Sequence, residues 1–193
     1  DIVYMSREKI LKTAMSLFSR YGIKGVSMSQ IATALQMSKK TLYAEFENKE
    51  EMLLEGLKYE KVRMQKLTEK TEEEAQNPLE ALILGMSNMF HYRSTFCPAF
   101  FRDIQRYVEA QDMVLSTKVK MHDLYMKYFN QGIKEGYFQS TFEYEAIASL
   151  FIEQLGDWNN LQQPYIILTF LRGVCTQKGL EVLDHFSPLK IQL

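Results

Sequence analysis

Apolar residues recur at helical spacing along almost the whole chain, and no stretch alternates convincingly as a strand would. Ile10, Leu11, Ala14, Leu17 and Phe18 form one stripe and predict a first helix, with Gly22 placed as its stop. Ile31, Ala32 and Leu35 make a shorter stripe behind Ser27 and Gln30, the S-x-x-Q pattern in which cap and third residue satisfy each other's N–H groups. Gln36-Met37 makes a turn, and Ser38 is placed to cap a third helix in which Leu42 and Phe46, four residues apart, point inward. Asn48, with Glu51 three residues on, opens a fourth helix over 48–70 that carries Leu53, Leu57, Met64 and Leu67 on one face. Gly56 inside that helix costs about 1 kcal/mol relative to alanine.

The same spacing continues downstream. Asn77-Pro78 opens a fifth helix with Leu79, Leu82, Ile83, Met86 and Phe90 in its stripe, and Pro98 a short sixth with Phe100, Phe101, Ile104 and Tyr107. A long seventh covers 110–135 with Met121, Leu124, Tyr125, Tyr128 and Phe129, stopped by Gly136. The eighth covers 142–158 with Ile147, Ala148, Phe151 and Leu155, and the ninth runs from Pro164 across 164–186. The acidic polar stretch 68–77 reads as a connector. The pattern predicts an all-α protein of about nine helices. Its head over 1–47 is a three-helix helix-turn-helix unit; a larger body follows over 48–193, with 48–70 as the connecting helix.

Surface chemistry singles out the third helix. Lys40 and Ala44 lie four apart on the face opposite Leu42 and Phe46, flanked by Thr41 and Tyr43. A short exposed helix bearing cations, a hydroxyl and a phenol suits a DNA major groove edged by phosphates. Lys49 falls in the first turn of the fourth helix, beside free N–H groups where a phosphate binds. Net charge is only −1, but residues 1–58 carry nine Lys and Arg against seven Asp and Glu, so the positive surplus gathers in the head.

Residues 9–54 resemble the DNA-binding domain of the TetR family of bacterial repressors. The resemblance rests on the I-L-x-x-A-x-x-L-F core, the Gly22-Ile23 turn, Ser27 before Gln30-Ile31-Ala32, and Ser38-Lys39-Lys40-Thr41-Leu42-Tyr43-x-x-Phe46-x-x-Lys49-Glu50. Two positions depart from the family pattern: Gln36 and Lys40 stand where glycine is common. The first suggests a slightly different turn backbone, and the second adds a charge to the recognition helix. The resemblance implies phosphate contacts from Ser27, Lys39, Thr41, Tyr43 and Lys49, with Ser38 at the helix start. Lys40 and Ala44, outermost, are the candidates for base edges, lysine toward guanine and alanine toward a thymine methyl.

Two later segments also resemble the family, 132–138 at the corner after its seventh helix and 170–174 in its last helix. The resemblance implies a homodimer paired through the last two helices; Ile167, Leu171 and Val174 offer a stripe and Gly173 a close approach, although the same residues would also fill a monomer core. A single helix-turn-helix contacts few bases, so two-fold pairing on a palindromic operator is the usual route to specificity.

For the body, the resemblance implies a ligand pocket. Phe90, Phe100, Phe101, Tyr107, Met121, Tyr125, Phe129, Phe151 and Trp158 are its candidate lining, and plain core is the competing reading for each. No cluster of cations or carboxylates suggests a highly charged ligand, so an apolar or aromatic small molecule is expected. The implied function is a ligand-responsive repressor whose effector, through about 1–3 kcal/mol of coupling, releases it from the operator. The alternative is a ligand-independent DNA-binding or interaction protein with a filled core. An enzyme is not expected: phosphate-cradling glycine loop, nucleophile elbow, H-E-x-x-H and paired E-x-x-H segments are all missing. Cys97 and Cys175 fit no metal spacing, so neither metal nor cofactor is expected. With no apolar run long enough to span a bilayer and no charged-then-apolar start, a cytoplasmic protein is expected.

Overall fold

The computed structural model describes residues 6–154 and 163–185. Among them are ten helices and no strand longer than a single bridge: α1 (Arg7–Tyr21), α2 (Met28–Ala34), α3 (Lys39–Glu45), α4 (Lys49–Glu74), α5 (Pro78–Ser94), α6 (Pro98–Ile104), α7 (Val108–Lys134), α8 (Tyr144–Gln154), α9 (Gln163–Val174) and α10 (Gln177–His185). The all-α expectation holds. The chain forms two compact units, one from the residues up to Lys66 together with Ser94–Leu115, the other from Leu67–Arg93 together with the residues from Ser116 onward.

In the first unit the stripes read from sequence are the core. Ile10, Ala14 and Phe18 of α1, Ile31 of α2, and Leu42 and Phe46 around α3 are all fully buried. Burying each of the isoleucine, leucine and phenylalanine side chains favours folding by about 1.5–3 kcal/mol. Gly56 sits against α1: a Cβ there would lie 2.5 Å from Met15 Sδ, so any side chain would require Met15 to move. The short helix α6 packs on α1, and its entry is tied by the Cys97 N–H donating to the Ser19 carbonyl at 2.7 Å.

In the second unit Phe129 is the hub of a ring cluster, 5.2 Å from Phe138 and 4.8 Å from Tyr144, over a core that includes Leu82, Met86, Ala148 and Leu171. Gly136, at φ 79°, stops α7 as the sequence predicts.

Two expectations need correction. The acidic stretch 68–77 is no connector over most of its length: α4 continues to Glu74. Thr71 is buried, donating to the Leu67 carbonyl and accepting from Asn88, while Glu72 accepts from Lys127 at 2.7 Å and from the Tyr128 hydroxyl at 2.9 Å. Thr71 and Glu72 meet tertiary partners that composition alone does not reveal. The ninth helix is in fact two. After α9 the backbone pairs with the corner following α7, Gln139 N–H donating to the Val174 carbonyl and Thr176 N–H to that of Tyr137. The Thr176 hydroxyl then accepts from the Gly179 N–H and so opens α10. The eighth helix is described as far as Gln154, and the rest of its predicted span lies outside the described residues, as does the end of the ninth beyond His185.

Candidate nucleic-acid interface

The helix-turn-helix is built by its caps. Ser27 Oγ accepts from the Gln30 N–H and Gln30 Oε1 accepts from the Ser27 N–H at 2.8 Å, the reciprocal pair read from the sequence. At the other end of α2, Gln36 N–H donates to the Thr33 carbonyl and Met37 N–H to that of Ala32, both at 3.0 Å. That is a Schellman turn, and it puts Gln36 at φ 55°. The turn therefore keeps the left-handed backbone that glycine favours; the expected departure lies in the residue, not in the path.

Ser38 caps α3 through the Thr41 N–H at 3.0 Å, and the two hydroxyls share a hydrogen bond of 2.8 Å. With Leu42 and Phe46 fully buried, Lys39, Lys40, Thr41, Tyr43 and Ala44 are all exposed, as are Ser27 and Ser38. The exposed residues of α3 thus present two ammonium groups, a hydroxyl, a phenol and a methyl, with no carboxylate among them.

Lys49 stands apart from this set. Its ammonium donates to the Ile23 and Val26 carbonyls at 2.8 and 2.9 Å. Burial pushes it below the usual lysine range, against the opposing pull of Asp103. Asn48 caps α4 by accepting from the Glu51 N–H, and Glu51 reaches back to the Glu47 N–H.

Sequence reasoning missed two residues that steady this surface. Arg7 donates to the Glu45 carbonyl at the end of α3 and lies 4.1 Å from the centre of the Phe46 ring. Asp103, from α6, accepts from the Lys24 N–H at 2.7 Å. Both act across long sequence separations, and neither sits in a local motif.

The candidate pocket residues divide. Phe100, Phe101 and Tyr107 belong to the first unit, where the rings of Phe96, Phe100 and Phe101 meet tilted or edge-on with centroids 4.7–5.9 Å apart. Phe90, Met121, Tyr125, Phe129 and Phe151 belong to the second, within or against its core. Trp158 lies outside the described residues. Tyr125 is almost fully buried, its hydroxyl has no hydrogen-bond partner, and burial drives its pKa upward. Desolvation also lowers Arg93, to about 10. A cleft of about 250 Å³ in the second unit is lined by polar groups such as Glu72, Asn77, Lys127 and Gln131, and by none of the aromatic candidates. Among the described residues no group of three His, Cys, Asp or Glu gathers to hold a metal, and no helix is long and apolar enough to cross a membrane.

A capped helix pair whose second helix exposes two lysines, a hydroxyl and a phenol, with its one carboxylate, Glu45, at the far end beside Arg7, defines the helix-turn-helix class. Residues 10–55 match the sequence family described as bacterial regulatory proteins, tetR family. An uncharacterized HTH-type transcriptional regulator of Bacillus subtilis (strain 168), YxaF, is 36% identical over 80 residues, a match spanning 41% of this chain and 42% of that relative. Solved structures share the fold over nearly the full chain. A TetR-family regulator from Marinobacter aquaeolei VT8 has a TM-score of 0.75 at 19% identity, covering 95% of this chain and all of the other. The ketosteroid transcriptional regulator KstR2 of Mycobacterium tuberculosis has a TM-score of 0.61 at 20% identity, covering 91% and 97%. A γ-butyrolactone receptor (ArpA-like protein) has 0.72 at 15%, covering 94% and 96%. The head, residues 10–55, thus belongs to the TetR family of bacterial regulatory proteins, and the chain shares the fold of a TetR-family structure over nearly its full length.

Proposed function

We propose that this chain is a transcriptional repressor that binds a palindromic DNA operator as a homodimer and is released by a small apolar or aromatic effector. The observation that carries the reading is the α3 surface: Lys39, Lys40, Thr41, Tyr43 and Ala44 exposed, between caps that order both ends of the motif. In this reading Ser27, Ser38, Lys39, Thr41 and Tyr43 bind phosphates and set the register, and Lys40 and Ala44 meet base edges. Dimerisation through α8 and the α9–α10 region is supported by α9, where Ile166 and Phe170 are exposed one turn apart and a Cβ added at Gly173 would meet nothing of its own chain. That open space suits the close crossing of a second copy.

The effector class is supported by the apolar surroundings of Tyr125, Phe129 and Phe151, and by relatives named for a ketosteroid and a γ-butyrolactone. The same burial favours a second reading, a ligand-independent DNA binder, because Phe129 and Phe151 already fill the core ring to ring at 6.2 Å. Selection of bound fragments from a random duplex library at fixed salt tests the proposal. An enriched palindrome is expected, with apolar compounds then screened for its release. Salt-sensitive binding without a preferred sequence contradicts operator binding, and an operator that no such compound releases favours the second reading.

A further inference from the structure

The loop between α1 and α2 is gripped by opposite charges. Its Lys24 N–H donates to Asp103 Oδ2 at 2.7 Å, while its Ile23 and Val26 carbonyls accept from the Lys49 ammonium at 2.8 and 2.9 Å. Asp103 is 8% exposed, a buried charge of the kind that costs free energy unless its hydrogen bonds are made. The grip is also close in space. Gly22 enters the loop at φ 77°, and a Cβ on it would stand 2.8 Å from Ala99 Cβ and 3.0 Å from Asp103 Oδ2. Ile23 and Val26 turn their side chains into the core, so loop and core are fixed together. The next residue is Ser27, whose hydroxyl caps α2.

We propose that Asp103 is a positioning residue for DNA recognition: from α6 its carboxylate fixes the loop that sets the N-terminal cap of α2, and so the placement of the helix-turn-helix. The proposal rests on the operator-binding reading above. Asp103 itself touches no DNA; it raises the fraction of heads whose α2 start is in binding geometry, and apparent affinity scales with that fraction. Other groups face it: Lys49, whose charge it supports, and Tyr107, on which burial, Glu50 and Asp103 act together.

The test uses the full chain, the selected palindrome as probe, and hydrogen exchange at residues 23–28. Asp103→Ala removes the acceptor and is expected to weaken binding roughly tenfold. The salt slope should not change, because no phosphate contact is lost, and exchange across the loop should speed up. Asp103→Asn keeps an oxygen that accepts from Lys24 and should recover most of the affinity and protection. A folded Asp103→Ala protein with wild-type affinity overturns the proposal, as do equal losses in both variants with loop exchange unaltered. Should Asp103→Ala not fold, Asp103→Ser, too short to reach the Lys24 N–H, takes its place in the same comparison. If the wild-type chain selects no sequence, the regulator reading fails on its own. The loop grip is then judged by exchange alone, and exchange unchanged in Asp103→Ala refutes it.

Discussion

Gln36 holds a backbone conformation that side chains avoid. At φ 55° it occupies the glycine position of a Schellman turn, where a Cβ crowds the following carbonyl. Gln36→Gly removes that crowding and gives back some unfolded-chain entropy, so a net stabilisation of about 0.5–1 kcal/mol is expected in thermal or urea unfolding. A destabilised Gln36→Gly protein would show that the glutamine side chain contributes more than its backbone costs. Lys49 makes the converse point, that position in the chain does not settle a role. Its place in the first turn of α4 suggests a phosphate ligand, but the folded ammonium serves two carbonyls of the preceding loop. Lys49→Ala should therefore weaken binding to all duplexes while the salt slope stays as in the wild type. A slope reduced by about one would return the residue to the phosphate contacts.

At the scale of elements, what was legible in the sequence is what local chemistry determines. Ser27 with Gln30, Ser38, Asn48 with Glu51, and Gly136 all mark helix ends through partners within four residues, and each is found where the pattern places it. The break between α9 and α10 was not legible, because Val174 and Thr176 give up helical pairing to residues 137–139, far away in sequence. The grip of Arg7 on Glu45 and of Asp103 on Lys24 escaped for the same reason. The C-terminal turns of α4 show what such long-range partners do to titration. Lys127 first, and the Tyr128 hydroxyl with it, hold the Glu72 carboxyl below its usual range against the opposing effect of burial. A carboxylate depressed in the folded state stabilises the protein above its unfolded pKa, and that contribution fades as pH falls through the folded value. Glu72→Gln should thus lower stability at neutral pH and reduce the loss of stability on acidification below about pH 4.5. Urea unfolding of both proteins at a series of pH values checks this; parallel curves would mean that the pair adds nothing.

For the whole molecule, the proposed function calls for two copies of the chain on one operator. The exposed α3 face is small, so the proposed homodimer would gain specificity by presenting it twice, and the exposed Ile166 and Phe170 of α9 would serve the pairing. Under the proposed function the effector search starts at the second unit's cluster around Tyr125 and Phe129, with the first unit's Phe100 and Phe101 as a separate group. The central claim is that α3 reads sequence through Lys40. The measurement that tests it most directly is equilibrium binding of the wild-type chain and Lys40→Ala to the selected palindrome and to each of its symmetric base-pair variants at one salt concentration. The account predicts that Lys40→Ala loses about 1–3 kcal/mol on the palindrome and stops discriminating at one symmetric pair of positions. A uniform loss across every duplex, or no loss at all, would contradict it.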